Sequence, residues 1–291
     1  MLNTVKTTLL LGALTALTLL VGRALGGNQG MLLALGVATV MNLGSWWFSD
    51  KIVLTMYRAR PVTEAEAPRL YRLVADVVAR AQLPMPKVYI VPGATPNAFA
   101  TGRDPEHAAV AVTQGILELL PTDELQGVIA HELAHIKHRD TLIAAIAAVS
   151  AGAISMLANW AQWALIMGRD RRRDDGGAGL LAILLAPLVA TVIQLAISRS
   201  REYAADEYAA RLLGDGTPLA RALLRLEEGN HRYPGFQEPN TAHLFIVSPL
   251  SGRGFFSLFR THPRTEDRVK RLEAVTAELD KSGQRFVNGL R

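Results

Sequence analysis

Four long apolar stretches constrain the fold of this 291-residue chain more than any other feature of its sequence. Residues 7–25 and 30–48 contain a single charged side chain, that of Arg23, and residues 141–168 and 178–197 contain none. Runs of about 20 apolar residues are long enough to cross the hydrocarbon core of a bilayer as helices. The sequence therefore predicts a membrane protein in which up to four transmembrane helices form two hairpins.

The first stretch has an alternative interpretation as a signal peptide cleaved after "ALG", because Lys6 precedes the apolar run. However, a second stretch of full length follows after only "GGNQ". We therefore favour a transmembrane hairpin over residues 1–50.

The composition excludes several kinds of site. The chain contains no cysteine, so any metal must be held by nitrogen and oxygen ligands. The net charge of +5 could indicate nucleic-acid binding, but membrane proteins use Lys and Arg to set their orientation. The arginine-rich stretch at residues 168–177 is interleaved with aspartates and contains no aromatic residue, which disfavours a nucleic-acid surface. We expect a lipid bilayer as a partner, and no nucleic acid.

Polar sequence on either side of the second pair of apolar stretches predicts one folded domain made from two separated segments. Residues 51–140 contain an amphipathic helix in "TEAEAPRLYRLVADVVARAQL", strands in "KVYIV" and "AAVAVT", and a third short strand or edge in "NAFATG". Residues 198–291 contain helical patterns, of which the first is closed by Gly214. We expect the two segments to pack together, with the apolar hairpin at 141–197 between them. The predicted fold class is an α+β membrane protein, mostly helical with a small β-sheet.

The segment "VIAHELAHIKHRD" combines a helical pattern with the spacing of a metal site. Pro121 and Thr122 open this helix, and Thr122 is the predicted N-cap. His131 and His135 share one helix face, so both imidazoles can reach one ion. Glu132 lies about 100° around the helix, where it can contact a water on the ion but cannot be a ligand together with both histidines. The motif alone leaves a polar stripe on an ordinary amphipathic helix as an equal alternative.

A catalytic zinc ion normally has three protein ligands and a water, so the site needs one more residue. His138 lies a further turn along the same helix and cannot converge with the other histidines on a tetrahedral ion, so we expect it at a packing or membrane-interface position. Glu202 is the better candidate, because a hairpin over residues 141–197 returns the chain to the point where His135 left it. The alternative for Glu202 is a surface glutamate beside Arg201.

Several motifs together resemble the HtpX family of bacterial membrane zinc endopeptidases, relatives of the eukaryotic CAAX prenyl proteases. They are "LPTDELQGVIAHELAHIKHRD", "REYAADEYAARL", "NAFATG", "TAHLFIV" and "THPRTEDRVKRLEAV". With the order of the apolar stretches, the resemblance covers almost the whole chain. It implies a zincin-like protease domain that binds one zinc ion. The sequence departs from the family at "THPR", where a second proline is common, and this departure affects only the local loop geometry.

The resemblance also implies roles for individual residues. The implied zinc ligands are His131, His135 and Glu202, and the implied general base is Glu132. Asp206 and Arg268 are implied to form a pair that orients the ligands. His262 is implied to stabilise the oxyanion, and Asn97 is implied to bind the substrate backbone. Without the resemblance, His262 would be interpreted as a capping or surface residue and Asn97 as a turn former.

The function implied by the resemblance is hydrolysis of internal peptide bonds in misfolded or damaged membrane proteins, at the cytoplasmic face of the bacterial inner membrane. Lys51, Arg58 and Arg60 favour a cytoplasmic domain. The arginines of residues 168–177 would then face outward, so the sequence leaves open whether 141–197 crosses the bilayer fully.

Three other functions are less consistent with the sequence. An intramembrane protease would bury its motif inside a membrane span, whereas "DELQG" and "KHRD" flank the motif here. A di-iron oxidase needs several histidine clusters, and the sequence has one. A catalytically inactive membrane scaffold of the same fold is the main alternative, although such a scaffold would be expected to have lost Glu132 or a ligand.

Overall fold

The computed structural model describes residues 2–142, 144, 199–232, 246 and 263–283. The second predicted apolar hairpin, at 141–197, therefore lies almost entirely outside the described residues, and so does His262. The described elements are α1 (Leu2–Met56), β1 (Arg60–Pro61), α2 (Pro68–Ala81), β2 (Lys87–Val91), β3 (Ala98–Thr101), a 3-10 turn (Pro105–His107), β4 (Ala109–Thr113), α3 (Gln114–Leu119), α4 (Thr122–Lys137), α5 (Arg199–Leu213), α6 (Thr217–Arg232) and α7 (Thr265–Lys281).

The first two apolar stretches belong to one helix, α1, which differs from the predicted hairpin. The predicted four-residue linker "GGNQ" is helical, and its Gly27 has a φ of 59°. A glycine accepts this left-handed φ without a steric penalty, so the backbone deviates from helical geometry at Gly27 without forming a loop. Among the residues that the structure describes, no helix has the combination of length and hydropathy expected of a membrane span.

A four-stranded sheet with the order β1-β2-β4-β3 lies next to α1. β2 and β4 pair in parallel, whereas β3 pairs antiparallel with β4 and β1 antiparallel with β2. The predicted strands "KVYIV" and "AAVAVT" are therefore neighbours, and "NAFATG" supplies the edge strand β3. Every residue of β4 is buried, as expected for a strand with both faces covered.

The two faces of the sheet pack against different parts of the chain. On one face, Val88 and Val110 join the main core that also contains residues of α2, α4 and α6. On the other face, Phe99 packs with Val53 and Leu54 near the end of α1. The edge strand is therefore held between the last turns of α1 and the helical core.

Helix α4 occupies the centre of the described domain, where it contacts α2, β3, α5 and α6. Gly127 permits close approach of α6, because a Cβ at this position would lie 3.0 Å from the Cα of Leu219. Helices α5 and α6 of the second polar segment pack on α4 of the first. Residues from both segments therefore contact α4.

The start of α4 differs by one residue from the prediction. Pro121 is the N-cap, and no side chain caps the helix, so the assignment of Thr122 as N-cap was wrong. The carbonyl of Pro121 accepts a hydrogen bond of 2.9 Å from the Leu125 N–H. The hydroxyl of Thr122 instead accepts a hydrogen bond of 2.7 Å from Arg69 of α2. Thr122 therefore contributes to helix packing and not to capping.

Candidate metal centre

Three side chains from two helices converge at the centre of the domain. His131 and His135 lie on α4, and Glu202 lies in the first turn of α5. The two Nε2 atoms are 3.3 Å apart. The carboxylate oxygens of Glu202 lie 3.6 Å from Nε2 of His131 and 3.7 Å from Nε2 of His135. The structure thus brings together the three residues that the sequence proposed as ligands.

The spacing and chemistry of these groups fit a small divalent cation. Ligands about 2.0–2.1 Å from a tetrahedral zinc ion lie about 3.3–3.4 Å from one another. All three ligand atoms lie within 4.8 Å of one another, and their nitrogen and oxygen donors suit zinc. Their side chains are 1%, 16% and 8% exposed, in the order His131, His135 and Glu202. His135 is therefore on the open side of the site.

A buried carboxylate and guanidinium lie directly behind His131. Asp206 Oδ1 lies 2.9 Å from Nδ1 of His131, and Arg268 donates hydrogen bonds of 2.8 and 2.7 Å to the two Asp206 oxygens. Burial alone would raise the pKa of Asp206, but the charge and hydrogen bonds of Arg268 hold it below its usual value. The ion pair therefore keeps a negative charge against the far side of this imidazole.

The same surroundings change the pKa of His131. Burial favours the neutral ring, but hydrogen bonding to Asp206 and to Glu202 outweighs it and raises the pKa from 6.5 to about 9. A cation that binds Nε2 must displace the proton that this environment favours. Proton and metal therefore compete for the same nitrogen.

His135 also has a carboxylate next to it, that of Asp140, which was not predicted from the sequence. Asp140 Oδ2 lies 3.3 Å from Nδ1 of His135, and Asp140 Oδ1 lies 3.5 Å from Nη1 of Arg201. The sequence feature that could have indicated this contact is an aspartate five residues after the second histidine, at the end of the segment "VIAHELAHIKHRD". Each histidine of the site is therefore backed by a carboxylate.

Glu132 lies beside the histidines and faces the edge strand. The backbone N–H of Ala100 in β3 donates a hydrogen bond of 2.9 Å to Glu132 Oε2. Burial raises the pKa of Glu132, although the neighbouring histidines oppose this effect. Its carboxylate therefore links the helix of the two candidate histidine ligands to β3, the edge strand of the sheet.

Comparisons with known proteins agree with this arrangement. Residues 64–276 match the model of peptidase family M48, which is most of the chain. The chain belongs to peptidase family M48. Among its relatives, a protease HtpX homologue of Syntrophobacter fumaroxidans is 53% identical over 277 residues, which cover 93% of this chain and 98% of the relative. A protease HtpX homologue of Pyrococcus furiosus is 53% identical over 279 residues, covering 94% of this chain and 96% of the relative.

A solved structure has the same fold as this M48 chain. The crystal structure of S. mikatae Ste24p superposes with a TM-score of 0.51 at 18% sequence identity. The match covers 90% of this chain, which spans 62% of the length of the Ste24p chain. The mostly helical architecture with a small mixed sheet is therefore an M48 protease fold, and the chain is a protease by family.

The structure places Asn97 at the start of the edge strand, where it is 1% exposed. Its Oδ1 accepts a hydrogen bond of 3.2 Å from the Ile246 N–H, and Arg268 Nη1 donates one of 2.7 Å to the Ile246 carbonyl. The backbone N–H and carbonyl of Ile246 are thus each bonded to a buried side chain. His138, expected at a packing or membrane-interface position, is the C-cap residue of α4 and packs edge-on against Tyr208 with ring centroids 5.6 Å apart.

Proposed function

We propose that this M48 peptidase is a zinc-dependent endopeptidase in which His131, His135 and Glu202 hold the ion. One observation carries the proposal: two imidazole nitrogens and a carboxylate, from helices far apart in the sequence, lie within 4.8 Å of one another. Catalytic zinc sites use three protein ligands of this kind and leave a fourth position open. The partial exposure of His135 provides the open side.

A zinc ion held there would supply an acidified water as nucleophile and would polarise the scissile carbonyl. Glu132 takes the proton from the attacking water and delivers it to the leaving amine. Its hydrogen bond from Ala100 fixes the position of the carboxylate before substrate arrives. In this proposal His262 stabilises the oxyanion, and Asp206 with Arg268 keeps His131 oriented.

Substrate would bind as an extended strand along β3. The Thr113 N–H of β4 donates a hydrogen bond to the Asn97 carbonyl. In an antiparallel pair of strands, hydrogen-bonded and non-hydrogen-bonded residue pairs alternate. The next pair, Ala98 and Val112, therefore has no backbone hydrogen bonds between its members. The backbone groups of Ala98 and Ala100 therefore point away from β4. Strand addition at such an edge recognises backbone and leaves side-chain preference loose. In this proposal Asn97 contributes to binding of the substrate backbone from the start of the strand.

We also propose that the enzyme acts at the bacterial inner membrane, on misfolded or damaged membrane proteins reached from the cytoplasmic side. The middle of α1 presents exposed aliphatic side chains, with Leu33 72% and Val40 73% exposed. Exposed apolar surface of this kind calls for an apolar partner, and a lipid bilayer is the partner proposed here. A fractionation in which the protein leaves the membrane in alkaline carbonate would contradict this localisation.

The decisive experiment measures zinc content and casein cleavage on the same detergent-solubilised protein. Glu132→Gln should retain zinc and lose cleavage by about 10²-fold or more, because only the proton acceptor is removed. Glu202→Ala should lose both zinc and cleavage. Glu207→Ala, on the outer side of the same helix where it pairs with Arg211, is the matched control and should keep both.

The same measurements separate the enzyme from an inactive scaffold. A scaffold would show no cleavage in the unmodified protein, whatever its zinc content. Cleavage by Glu132→Gln at the rate of the unmodified protein would instead show that the general base is assigned to the wrong residue. Zinc retention by Glu202→Ala would remove this residue from the ligand set.

A further inference from the structure

We propose that Asp140 is a positioning residue of the metal centre. It orients the His135 ring directly and, through Arg201, holds Glu202 in a fixed position relative to His135. This inference rests on the proposed zinc-dependent function. It concerns a residue outside the ligand set and outside the pair formed by Asp206 and Arg268. The role is to orient a ligand and not to react.

The two histidines are supported by two parallel arrangements. Behind His131, the order is imidazole, Asp206 and Arg268, with separations of 2.9 and 2.7 Å. Behind His135, the order is imidazole, Asp140 and Arg201, with separations of 3.3 and 3.5 Å. In each arrangement the carboxylate contacts Nδ1 and leaves Nε2 for the other ligands.

The end of α4 is folded so that Asp140 returns to His135. Arg139 has a left-handed φ of 58°, and the Asp140 N–H donates a hydrogen bond of 2.9 Å to the His135 carbonyl. This bond from the second residue after the C-cap His138 is the pattern of a Schellman motif. Asp140 is consequently 6% exposed, although it lies just beyond the last helical turn. A buried carboxylate is retained only with polar or charged partners, and here those partners are His135 and Arg201.

The contact determines which nitrogen of His135 can bind a cation. A carboxylate at Nδ1 favours the tautomer that carries its proton there, so the lone pair is on Nε2. Nε2 is the atom that faces His131 and Glu202. Without Asp140, the ring could rotate or adopt the other tautomer.

The second contact of Asp140 joins the two helices that supply the ligands. Arg201 immediately precedes Glu202 at the start of α5, whereas Asp140 follows the end of α4. The pair between Arg201 and Asp140 therefore fixes the end of one ligand-bearing helix against the beginning of the other. Both side chains are largely buried, at 13% and 8% exposure, so solvent screens the pair less than a surface pair.

Zinc affinity is the direct readout, because a positioning residue changes ligand geometry before it changes chemistry. Loss of an outer partner of a metal ligand typically weakens binding about 10- to 100-fold. The contacts of Asp140 are longer than those of Asp206, so we expect a weakening near about tenfold for Asp140→Asn. Competition with a chromophoric chelator measures this affinity, and the visible spectrum of the cobalt-substituted protein reports the ligand geometry separately.

Asp76→Asn is the matched control. Asp76 of α2 is also a carboxylate that contacts α4, since it accepts a hydrogen bond of 2.6 Å from Gln126, but this contact is exposed and not buried at the site. It should leave zinc affinity and the cobalt spectrum unchanged. Thermal melting of the metal-free variants identifies any loss of folding, and the isosteric change to asparagine keeps the packing volume.

A double-mutant cycle tests whether Arg201 acts through Asp140. Arg201→Gln should weaken zinc binding by a smaller factor than Asp140→Asn, and Arg201→Lys should restore part of the loss. Residues that act through one contact give non-additive effects, so the double variant should bind zinc about as weakly as Asp140→Asn alone. Fully additive losses would overturn the coupling through Asp140.

The outcomes distinguish this inference from the proposed function. If the unmodified protein bound no zinc, the proposed function itself would be overturned. If it bound zinc and folded Asp140→Asn bound zinc equally tightly with an unchanged cobalt spectrum, the positioning role alone would be overturned. Weaker binding with an altered spectrum in Asp140→Asn, and neither change in Asp76→Asn, would support it.

Discussion

The backbone N–H of Ala100 donates a hydrogen bond of 2.9 Å to the carboxylate of Glu132. This bond joins the edge strand of the sheet to the residue next to the first histidine of the candidate metal centre. Both partners are buried, Ala100 at 6% and Glu132 at 5% exposure. The proposed proton acceptor and the proposed substrate edge therefore share one contact.

Ala100→Pro removes this N–H without removing a hydrogen bond to β4, because the group points away from the neighbouring strand. We expect zinc content to be retained and kcat to fall about tenfold or more, the effect of losing one hydrogen bond to a charged group. Ala98→Pro is the matched control in the same strand and should mainly raise KM. Equal effects of both variants on kcat would show that Glu132 does not depend on Ala100.

The pH dependence of zinc binding follows from the pKa of His131, which is raised to about 9. Below that pH the metal-free imidazole holds a proton, and zinc must displace it. Apparent zinc affinity should therefore rise by up to about tenfold per unit between pH 7 and 9, and zinc should be released on acidification toward about pH 5. Chelator competition at several pH values checks both. A flat profile between pH 7 and 9 would show that this proton is absent.

The raised pKa has the opposite effect on the stability of the metal-free protein. A folded-state pKa above the unfolded value stabilises the fold at pH below about 6.5, and this contribution is lost as pH rises through about 9. Metal affinity and metal-free stability should therefore change in opposite directions over this range. Denaturant unfolding in the presence of a chelator measures the second quantity.

Local patterns in the sequence were sufficient to predict most of the elements. The loss of helical spacing and the bounding turns located β2 and β4, and β3 was expected as a third short strand or edge. The four-residue spacing of His131 and His135 placed both rings on one face of α4. The prediction of Glu202 depended on chain topology, since the first turn of α5 had to return to α4. These features are determined by residues close in sequence or by the contact of α5 with α4.

Features that depend on tertiary contacts were not predictable in the same way. The contact of Asn97 with Ile246 joins residues 149 positions apart, and no local pattern specifies it. Asp140 was missed because its approach to His135 needs a left-handed φ at Arg139, a conformation that sequence favours at glycine. The linker "GGNQ" has the composition of a turn, yet the helical hydrogen bonding of α1 continues through it.

Arg268 should be among the residues most important for stability. It is 1% exposed and neutralises buried Asp206, so Arg268→Met leaves a buried charge without its partner. Such a change costs about 3–5 kcal/mol, which corresponds to a decrease in Tm of roughly 6–20 °C for a domain of this size. Thermal melting of the metal-free protein measures this. Arg264→Met, in an exposed pair with Glu266, is the control and should leave Tm nearly unchanged.

A second variant tests whether the cost comes from the unpaired charge. Combining Arg268→Met with Asp206→Asn removes both charges, and the double variant should be more stable than Arg268→Met alone. If the double variant were less stable by the sum of the two single effects, lost packing would account for the result instead.

The conformation of Arg139 gives a prediction in which a substitution increases stability. Its φ of 58° is unfavourable for a residue with a Cβ and suits glycine. Arg139→Gly should therefore keep the turn that brings Asp140 back to His135, and should raise stability by up to about 1 kcal/mol while zinc affinity is unchanged. Arg139→Val, whose branched side chain resists this φ, should lower both stability and zinc affinity. Thermal melting and chelator competition on the two variants check this, and equal zinc affinity in Arg139→Gly and Arg139→Val would show that the turn does not position Asp140.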